Sequence, residues 1–292
     1  MIAYIFPGQG AQFEGMGKDL YQEDMACKAI FDEADDILGY KLSQIMFEGS
    51  ADDLKKTEIT QPALFVHALA SFAKDGGNHS PDAVAGHSLG EFSALVANGT
   101  VSFMDGLNLV YKRAMAMQKA CDAVPGTMAA ILGLENDVVV EICDSIDDVV
   151  VPANYNCPGQ LVISGTIAGI NKAVEICTEK GARRAMVLPV GGAFHSPLMM
   201  PAQDELAKAI DETSFNSPIC PVYQNYTAMP ETDPINIKNN LIAQLTGAVK
   251  WTQIMNQMIS DGIISTIEVG GNGKVLSGLF KKVDRKFPTS SI

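Results

Sequence analysis

The sequence predicts an α/β protein: a body built on a mostly parallel sheet, interrupted by a small ferredoxin-like subdomain. Three observations carry this. Short apolar runs alternate with helical stretches over residues 1–125 and again after residue 197, the pattern of parallel strands joined by crossovers. Between them the order is strand, helix, strand, strand, helix, strand, which is the split βαβ arrangement. Pro125-Gly126 and Gly191-Gly192 bracket that middle stretch and can act as hinges. The expected organisation is residues 1–126 and 192–292 as one subdomain and 127–191 as the other, with a ligand cleft between them.

Each element has its own signal. Ile2 to Phe6 is an apolar strand closed by Pro7-Gly8, without the basic region of a signal peptide. Gln61-Pro62 introduces a helix from Ala63 to Lys74. Asp82 to Ala85 is a short buried strand, Glu91 to Ala97 a helix stopped by Asn98-Gly99, and Asp105 to Ala120 a long helix. In the middle, Met128–Leu132, Val149–Ala153, Gln160–Ser164 and Arg184–Val190 read as strands, with a turn at 156–159. Asp137–Ser145 and Ala168–Lys180 read as the two helices there. The last part holds helices at Leu198–Glu212, Ile237–Leu245, Thr252–Ser260 and from Lys274 to about Val283, and strands at Cys220–Asn225 and Thr266–Val269. The tail Phe287–Ile292 is expected to fray.

Composition narrows the function classes. A net charge of −13, from 34 acidic and 21 basic side chains, argues against a nucleic-acid binder. Six cysteines without C-x-x-C spacing argue against a zinc site or disulfide framework and fit a reducing compartment. No apolar run reaches the length of a membrane span. The expectation is a cytoplasmic chain, monomeric, without metal or bound cofactor and with no nucleic-acid or membrane partner.

Gly86-His87-Ser88-Leu89-Gly90 fits the G-x-S-x-G nucleophile elbow, set between a strand and a helix as that motif requires. The turn aims the Ser88 hydroxyl out of the sheet at a helix N-terminus, where backbone N–H groups can receive an oxyanion. A serine hydroxyl needs a base. Of four histidines, His87 adjoins the serine and points away, His67 lies in a helical apolar pattern, and His79 sits in a polar loop and is expected to be solvated. His195, in the Gly191–Pro197 loop that returns to the α/β body, is the candidate base. No acid completes a triad, and a backbone carbonyl can fix the imidazole instead. Leu89 N–H is one candidate oxyanion donor, and the glycine-rich loop Phe6–Gln12 is the candidate source of a second. That loop lacks the P-loop Lys and the dinucleotide glycine spacing, which disfavours nucleotides. Arg113 lies at the margin of the apolar stripe Leu107, Val110, Ala114, Met117, Cys121. It either snorkels outward or reaches inward to grip a carboxylate.

Five segments in one order carry a resemblance. They are Gly8-Gln9-Gly10-Ala11-Gln12, Gly86 to Glu91, Lys112 to Gln118, Asn154 to Gln160, and Phe194-His195-Ser196. Together the chain, from Ile2 to about Lys282, resembles the malonyl-CoA:acyl carrier protein transacylases of bacterial type II fatty acid synthesis. The resemblance implies an α/β-hydrolase-like body, malonyl-CoA and acyl carrier protein as substrate and partner, and ping-pong acyl transfer without a cofactor. It implies Ser88 as acylated nucleophile, His195 as base, Gln9 and Leu89 as oxyanion donors, and Arg113 on the malonyl carboxylate. It also implies that the Gln244 carbonyl orients His195, and that Phe194, Asn154 and Asn156 meet the substrate. Two departures stand out: the run Val269 to Lys274 is one residue longer than the family pattern, and Ala248 stands where a proline is usual. A polyketide acyltransferase shares these features. A serine thioesterase or esterase would share the elbow without needing Arg113, and a non-catalytic carrier-binding module would not need both Ser88 and His195. Docking of an acidic carrier needs a basic patch. Lys180 with Arg183 and Arg184, and Lys281, Lys282, Arg285 and Lys286, are the candidates.

Overall fold

The computed structural model describes residues 1–292, the Asp75 side chain excepted. The chain opens on β1 (Ile2–Phe6) and runs through α1 (Lys18–Glu23), α2 (Met25–Leu38), α3 (Leu42–Glu48) and α4 (Thr57–Ala73) to β2 (Ala83–Gly86). Next come α5 (Gly90–Ala97), α6 (Phe103–Ala123), β3 (Gly126–Leu132), α7 (Asn136–Asp144), β4 (Val150–Cys157), β5 (Gln160–Thr166), α8 (Ile167–Glu179) and β6 (Arg184–Val187). It ends with α9 (Met200–Glu212), β7 (Val222–Tyr223), β8 (Pro230–Glu231), α10 (Pro234–Ala243), α11 (Trp251–Ser260), β9 (Ser265–Glu268), α12 (Val275–Val283) and β10 (Thr289–Ser291).

β1 sits inside a six-stranded sheet of order β10-β9-β1-β2-β7-β8, and only the β7–β8 pair is antiparallel. A strand covered on both faces must be apolar throughout. Accordingly, Tyr4, Phe6 and Val84 face one cluster with Phe65, Phe92 and Leu107, while Ala3, Ile5, Ala83 and Ala85 face another with Trp251, Met255 and Phe280. α4 is buried on nearly all sides, from Thr57 to Ser71, so it is a core helix and not an amphipathic one. The middle of the chain forms a separate antiparallel sheet of order β4-β5-β3-β6, with α7 and α8 covering Ala129, Ile131, Leu161 and Ile163. That is the strand order of the ferredoxin-like pattern. No helix among the described residues is long and apolar enough to cross a membrane.

Several boundaries differ from the sequence reading. α4 begins at Thr57, six residues before the expected start, with Pro62 inside it. Pro62 forfeits only the one bond to the Glu58 carbonyl, a loss that burial of the helix outweighs. β6 stops at Val187 because Pro189 follows, and the expected strand 220–225 shrinks to Val222–Tyr223 because Gln224 and Asn225 turn their polar groups to Glu91. Asn156 and Cys157, expected in a turn, belong to β4; the turn itself is Pro158-Gly159. The tail does not fray: β10 pairs in parallel with β9, from Thr289 against Thr266 to Ser291 against Glu268. His79 is not free in solvent; its ring is half-buried 4.8 Å from Phe72, and Tyr4 Oη lies 3.3 Å from its Nδ1.

Helices α1–α3 had no place in the sequence reading. α2 nonetheless carries explicit ends. Asp24 Oδ1 accepts the N–H groups of Ala26 (2.7 Å) and Cys27 (3.0 Å), and Gly39 closes the helix at φ 73°. Asp24→Ala is expected to lower stability by about 1 kcal/mol, the usual worth of such a cap. Urea unfolding should show a lower midpoint with an unchanged slope.

Candidate active site

β2 ends in Gly86, and the chain reverses into α5 within four residues. The reversal is possible only because two glycines let backbones touch. A Cβ on Gly90 would stand 2.0 Å from the Phe6 carbonyl oxygen, and one on Gly86 would stand 1.9 Å from the Gly90 carbonyl carbon. Ser88, between them, is held at φ 52°, a left-handed conformation that a non-glycine residue adopts at a cost of about 1–2 kcal/mol. The turn is braced from outside. Ser88 N–H donates to Asn225 Oδ1 (2.6 Å), and Asn225 Nδ2 donates to the Gly86 carbonyl (2.6 Å).

His195 is the second residue of this kind, at φ 58° in the loop before α9. Its ring is buried and meets Ser88 Oγ through Nε2 at 2.7 Å. On the other side Nδ1 faces two carbonyl oxygens, Gln244 at 2.9 Å and Gly247 at 3.2 Å. Carbonyls only accept, so Nδ1 carries the proton and Nε2 is left as the acceptor of the serine hydroxyl. A carbonyl therefore does here what a triad acid does elsewhere. Burial, and then the positive charge of Arg113, lower the His195 pKa to about 3. The ring is thus neutral at any ordinary pH, with Nε2 open as a proton acceptor.

Arg113 comes up from α6, fully buried. It does not snorkel outward. Nη1 donates to Gln61 Oε1 (2.7 Å), and Nη2 donates to Ser88 Oγ (3.1 Å) and Gln244 Oε1 (3.4 Å). The Phe92 ring lies 5.6 Å from its Cζ. Its Nε–H has no partner, and no carboxylate lies within ion-pair distance among the described residues. Burial lowers its pKa to about 10, which leaves it charged. A desolvated cation with spare donors beside a nucleophile is a receptor for an anionic group.

Ser88 and His195 open onto a cleft of about 230 Å³ between the two sheets, lined by Gly8 and Gln9, Met128, Asn154, Asn156, Val162, Phe194 and Leu279 among others. The N–H groups of Gln9 and Leu89 donate to no acceptor among the described residues. Asn154 faces the cleft with its Oδ1 unpartnered. Asn156 also lines it, but its Oδ1 lies 2.8 Å from His87 Nε2. His87, packed 5.5 Å from Trp251, thereby ties the elbow to β4, a supporting task that agrees with its expected direction away from the serine. His67, expected to be structural, is buried and accepts the Gly271 N–H at 3.1 Å. All six cysteines are free and buried.

The sequence reading missed two residues. Gln61 reads in the sequence as the start of a helix, yet its side chain holds Arg113. Glu91 ends the elbow segment, where its local pattern points to no role. Its fully buried carboxylate accepts Gln224 Nε2 (3.0 Å), Asn225 N–H (2.8 Å) and Gln244 Nε2 (3.1 Å). Burial raises its pKa to about 7 against these hydrogen bonds and the Arg113 charge, which lower it. Its place directly after Gly90, inside a helix start, was the available signal: an acid in an otherwise apolar segment.

Residues 3–284 match the family model described as the acyl transferase domain. The chain is 45% identical, over all of its length and 93% of the relative's, to a malonyl CoA-acyl carrier protein transacylase of Bacillus subtilis (strain 168). It is 42% identical to one of Staphylococcus aureus (strain MRSA252), over 99% of this chain and 94% of that one. Among solved structures, an acyl carrier protein S-malonyltransferase of Vibrio cholerae superposes with a TM-score of 0.94 at 42% identity, covering 100% of this chain and 96% of that chain. A type II PKS acyl-carrier protein in complex with its malonyl-transacylase gives 0.95 at 36% identity, covering 100% and 95%.

The titrations have a measurable sign. His195 and His67 hold folded-state values of about 3 and about 4, and burial lowers His87 as well, all from an ordinary 6.5. Below 6.5 the unfolded chain takes up these protons and the folded chain does not, so these groups withdraw stability as pH falls toward 4. Glu91 acts oppositely: its stabilising share is full below 4.5 and lost as pH rises through about 7. Labelling of Ser88 by a fluorophosphonate needs neutral His195. While the fold persists, its rate should show no half-fall near pH 6.5 and should hold down to about pH 5.

Proposed function

The chain belongs to the acyl transferase domain family, and on that premise we propose that it transfers a malonyl group from malonyl-CoA to the phosphopantetheine thiol of acyl carrier protein, through a malonyl-serine, in cytoplasmic fatty acid synthesis. The observation that carries the substrate choice is Arg113, buried without a counter-ion and 3.1 Å from Ser88 Oγ. A free carboxylate at the far end of a short acyl group satisfies that cation.

The steps follow from the distances. His195 Nε2 takes the Ser88 proton as Oγ attacks the thioester carbonyl. The negative oxygen of the tetrahedral intermediate meets the free N–H groups of Gln9 and Leu89, each donor worth about 3 kcal/mol in the transition state. His195 then protonates the departing CoA sulfur. In the second half the carrier thiol gives its proton to His195, attacks the malonyl-serine, and Oγ recovers the proton as it leaves. Nothing in this sequence needs a metal or cofactor. Phe194 walls the acyl group, and the Asn154 amide is free for the amide N–H of a pantetheine arm. Asn156 acts on substrate less directly, since its oxygen is engaged by His87. We assign residues 1–126 with 192–292 to the catalytic subdomain and 127–191 to the smaller one that closes the cleft.

The exposed groups Lys180, Arg183 and Arg184, and Lys281, Lys282, Arg285 and Lys286, flank the small sheet and α12 and suit an acidic carrier. Glutamates at Lys180, Arg183 and Arg184 should raise the KM for carrier protein severalfold, and salt should weaken the wild-type interaction, without slowing loading from malonyl-CoA.

Intact mass spectrometry tests the whole reading. Mixing with malonyl-CoA should add one malonyl group, and adding phosphopantetheinylated carrier protein should remove it to the carrier. Release of free malonate independent of a thiol would make the protein a hydrolase instead. Arg113→Ala should cost malonyl loading about 100-fold or more and favour acetyl relatively, as expected when two charge-assisted hydrogen bonds are lost. Arg113→Lys should not restore it, because an ammonium cannot span two carboxylate oxygens. An unchanged malonyl-to-acetyl ratio would remove Arg113 from the substrate.

A further inference from the structure

Glu91 is a fully buried carboxylate to which the acyl-transfer chemistry gives no task. A carboxylate stripped of water is costly unless its lone pairs are filled. Three donors fill them: Gln224 Nε2 on Oε1, and the Asn225 N–H and Gln244 Nε2 on Oε2. Two of the three donor residues hold the reacting groups. Asn225 fixes the Ser88 N–H and the Gly86 carbonyl. Gln244 donates to the Ser88 carbonyl (3.0 Å), accepts from Arg113 through its side chain, and accepts from His195 Nδ1 through its main chain. Gln224 is itself held by Asn240 Nδ2 (2.8 Å), and it donates to the Ile237 carbonyl (3.1 Å), so α10 is drawn into the same knot.

The geometry points to Glu91 as a positioning residue: it clamps Asn225 and Gln244 against the elbow, so that nucleophile, base and guanidinium keep one register. The inference deepens the acyl-transfer reading and rests on it for the role of Arg113. Glu91 touches none of the reacting atoms. It acts because Gln244 uses one amide to meet Glu91, Ser88 and Arg113 together, so the carboxylate reaches that cation only through Gln244. In Glu91→Gln the shape is kept, but one acceptor becomes a donor facing donors. Either the Gln224 side or the Asn225–Gln244 side must then let go.

The test uses the purified full chain and two substrates. p-Nitrophenyl acetate needs Ser88 and His195 but not Arg113; its initial burst counts active sites, and turnover is expressed per site. Glu91→Gln should lower turnover per site about 10- to 100-fold, the scale of an ångström-sized misplacement, with KM within about twofold. It should also lower the malonyl-to-acetyl loading ratio about tenfold. A glutamate that only stabilised the fold would reduce melting temperature and burst size while leaving the rate per site and the ratio unmoved, and that result overturns the proposal. If Glu91→Gln does not fold, Gln244→Met takes its place, since it keeps the main-chain carbonyl but severs the side-chain link; an unchanged loading ratio there overturns the proposal as well. A wild-type chain that cleaves the neutral ester but never takes malonyl defeats the malonyl reading alone, and the ester arm still judges Glu91. A chain inert toward both defeats both.

Discussion

The structure depends on a guanidinium placed where water cannot reach it. Arg113 is fully buried on α6, and its contacts are neutral oxygens and a ring face. Neutral acceptors compensate a buried cation only in part, so the site stores an unmet demand for negative charge. That demand reaches His195, whose pKa it helps to lower. When an acyl carboxylate pairs with Arg113, the push on the imidazole is cancelled and Nε2 becomes a stronger base. On the proposed reading, the substrate that fits the cation thereby improves the group that activates the serine. On the same reading a neutral acyl group gains neither effect, and selection of the diacid falls in the transition state as well as in binding.

Holding such a charge next to a nucleophile requires a stiff frame. Ser88 and His195 are two of the three non-glycine residues at positive φ among the described residues, and both lie at the reacting centre. Strain of this kind persists only where surrounding contacts over-determine the backbone. The contacts are visible on every side. Gly86 and Gly90 let the elbow press on the Phe6 carbonyl, Asn225 ties the Ser88 N–H to the Gly86 carbonyl, and two carbonyls fix the imidazole. The same packing brings the Pro7–Gly10 loop beside the elbow, since a Cβ on Gly8 would stand 2.4 Å from the His87 carbonyl oxygen.

How much of this could be read in advance follows from what kind of interaction set each feature. The elbow, the alternation of strands and helices, and the βαββαβ order were legible because they depend on local pattern: apolar period, turn glycines and spacing. Ser88, His195 and Arg113 stand together in the structure as expected, with Oγ–Nε2 at 2.7 Å and Nη2–Oγ at 3.1 Å. Helices α1–α3 were not legible because no strand alternation frames them, although Asp24 and Gly39 were there to mark α2. The start of α4 was hidden by Pro62, whose local meaning is a boundary and whose tertiary setting is a core helix. The tail strand was invisible because three residues carry no strand pattern of their own and form a strand only by pairing with β9. Gln61 and Glu91 escaped because their tasks are defined by residues 52 and 153 positions away.

The absence of a triad acid and the presence of Arg113 are one arrangement. A carboxylate oriented on His195 Nδ1 would have to stand where the Gln244 and Gly247 carbonyls now converge. Gln244 is also within 3.4 Å of Arg113 through its own side chain. An acid there would be drawn to the guanidinium as an internal counter-ion, satisfying the unpaired cation and leaving the imidazole poorly held. Two carbonyls set the same tautomer without adding charge. The nearest acid, Glu91, is instead kept one hydrogen bond further off, behind the Gln244 amide. A hydrolase acting on neutral esters has no such conflict and can use aspartate freely. On the proposed reading, the carbonyl-oriented dyad therefore leaves the same few ångströms open to an anion.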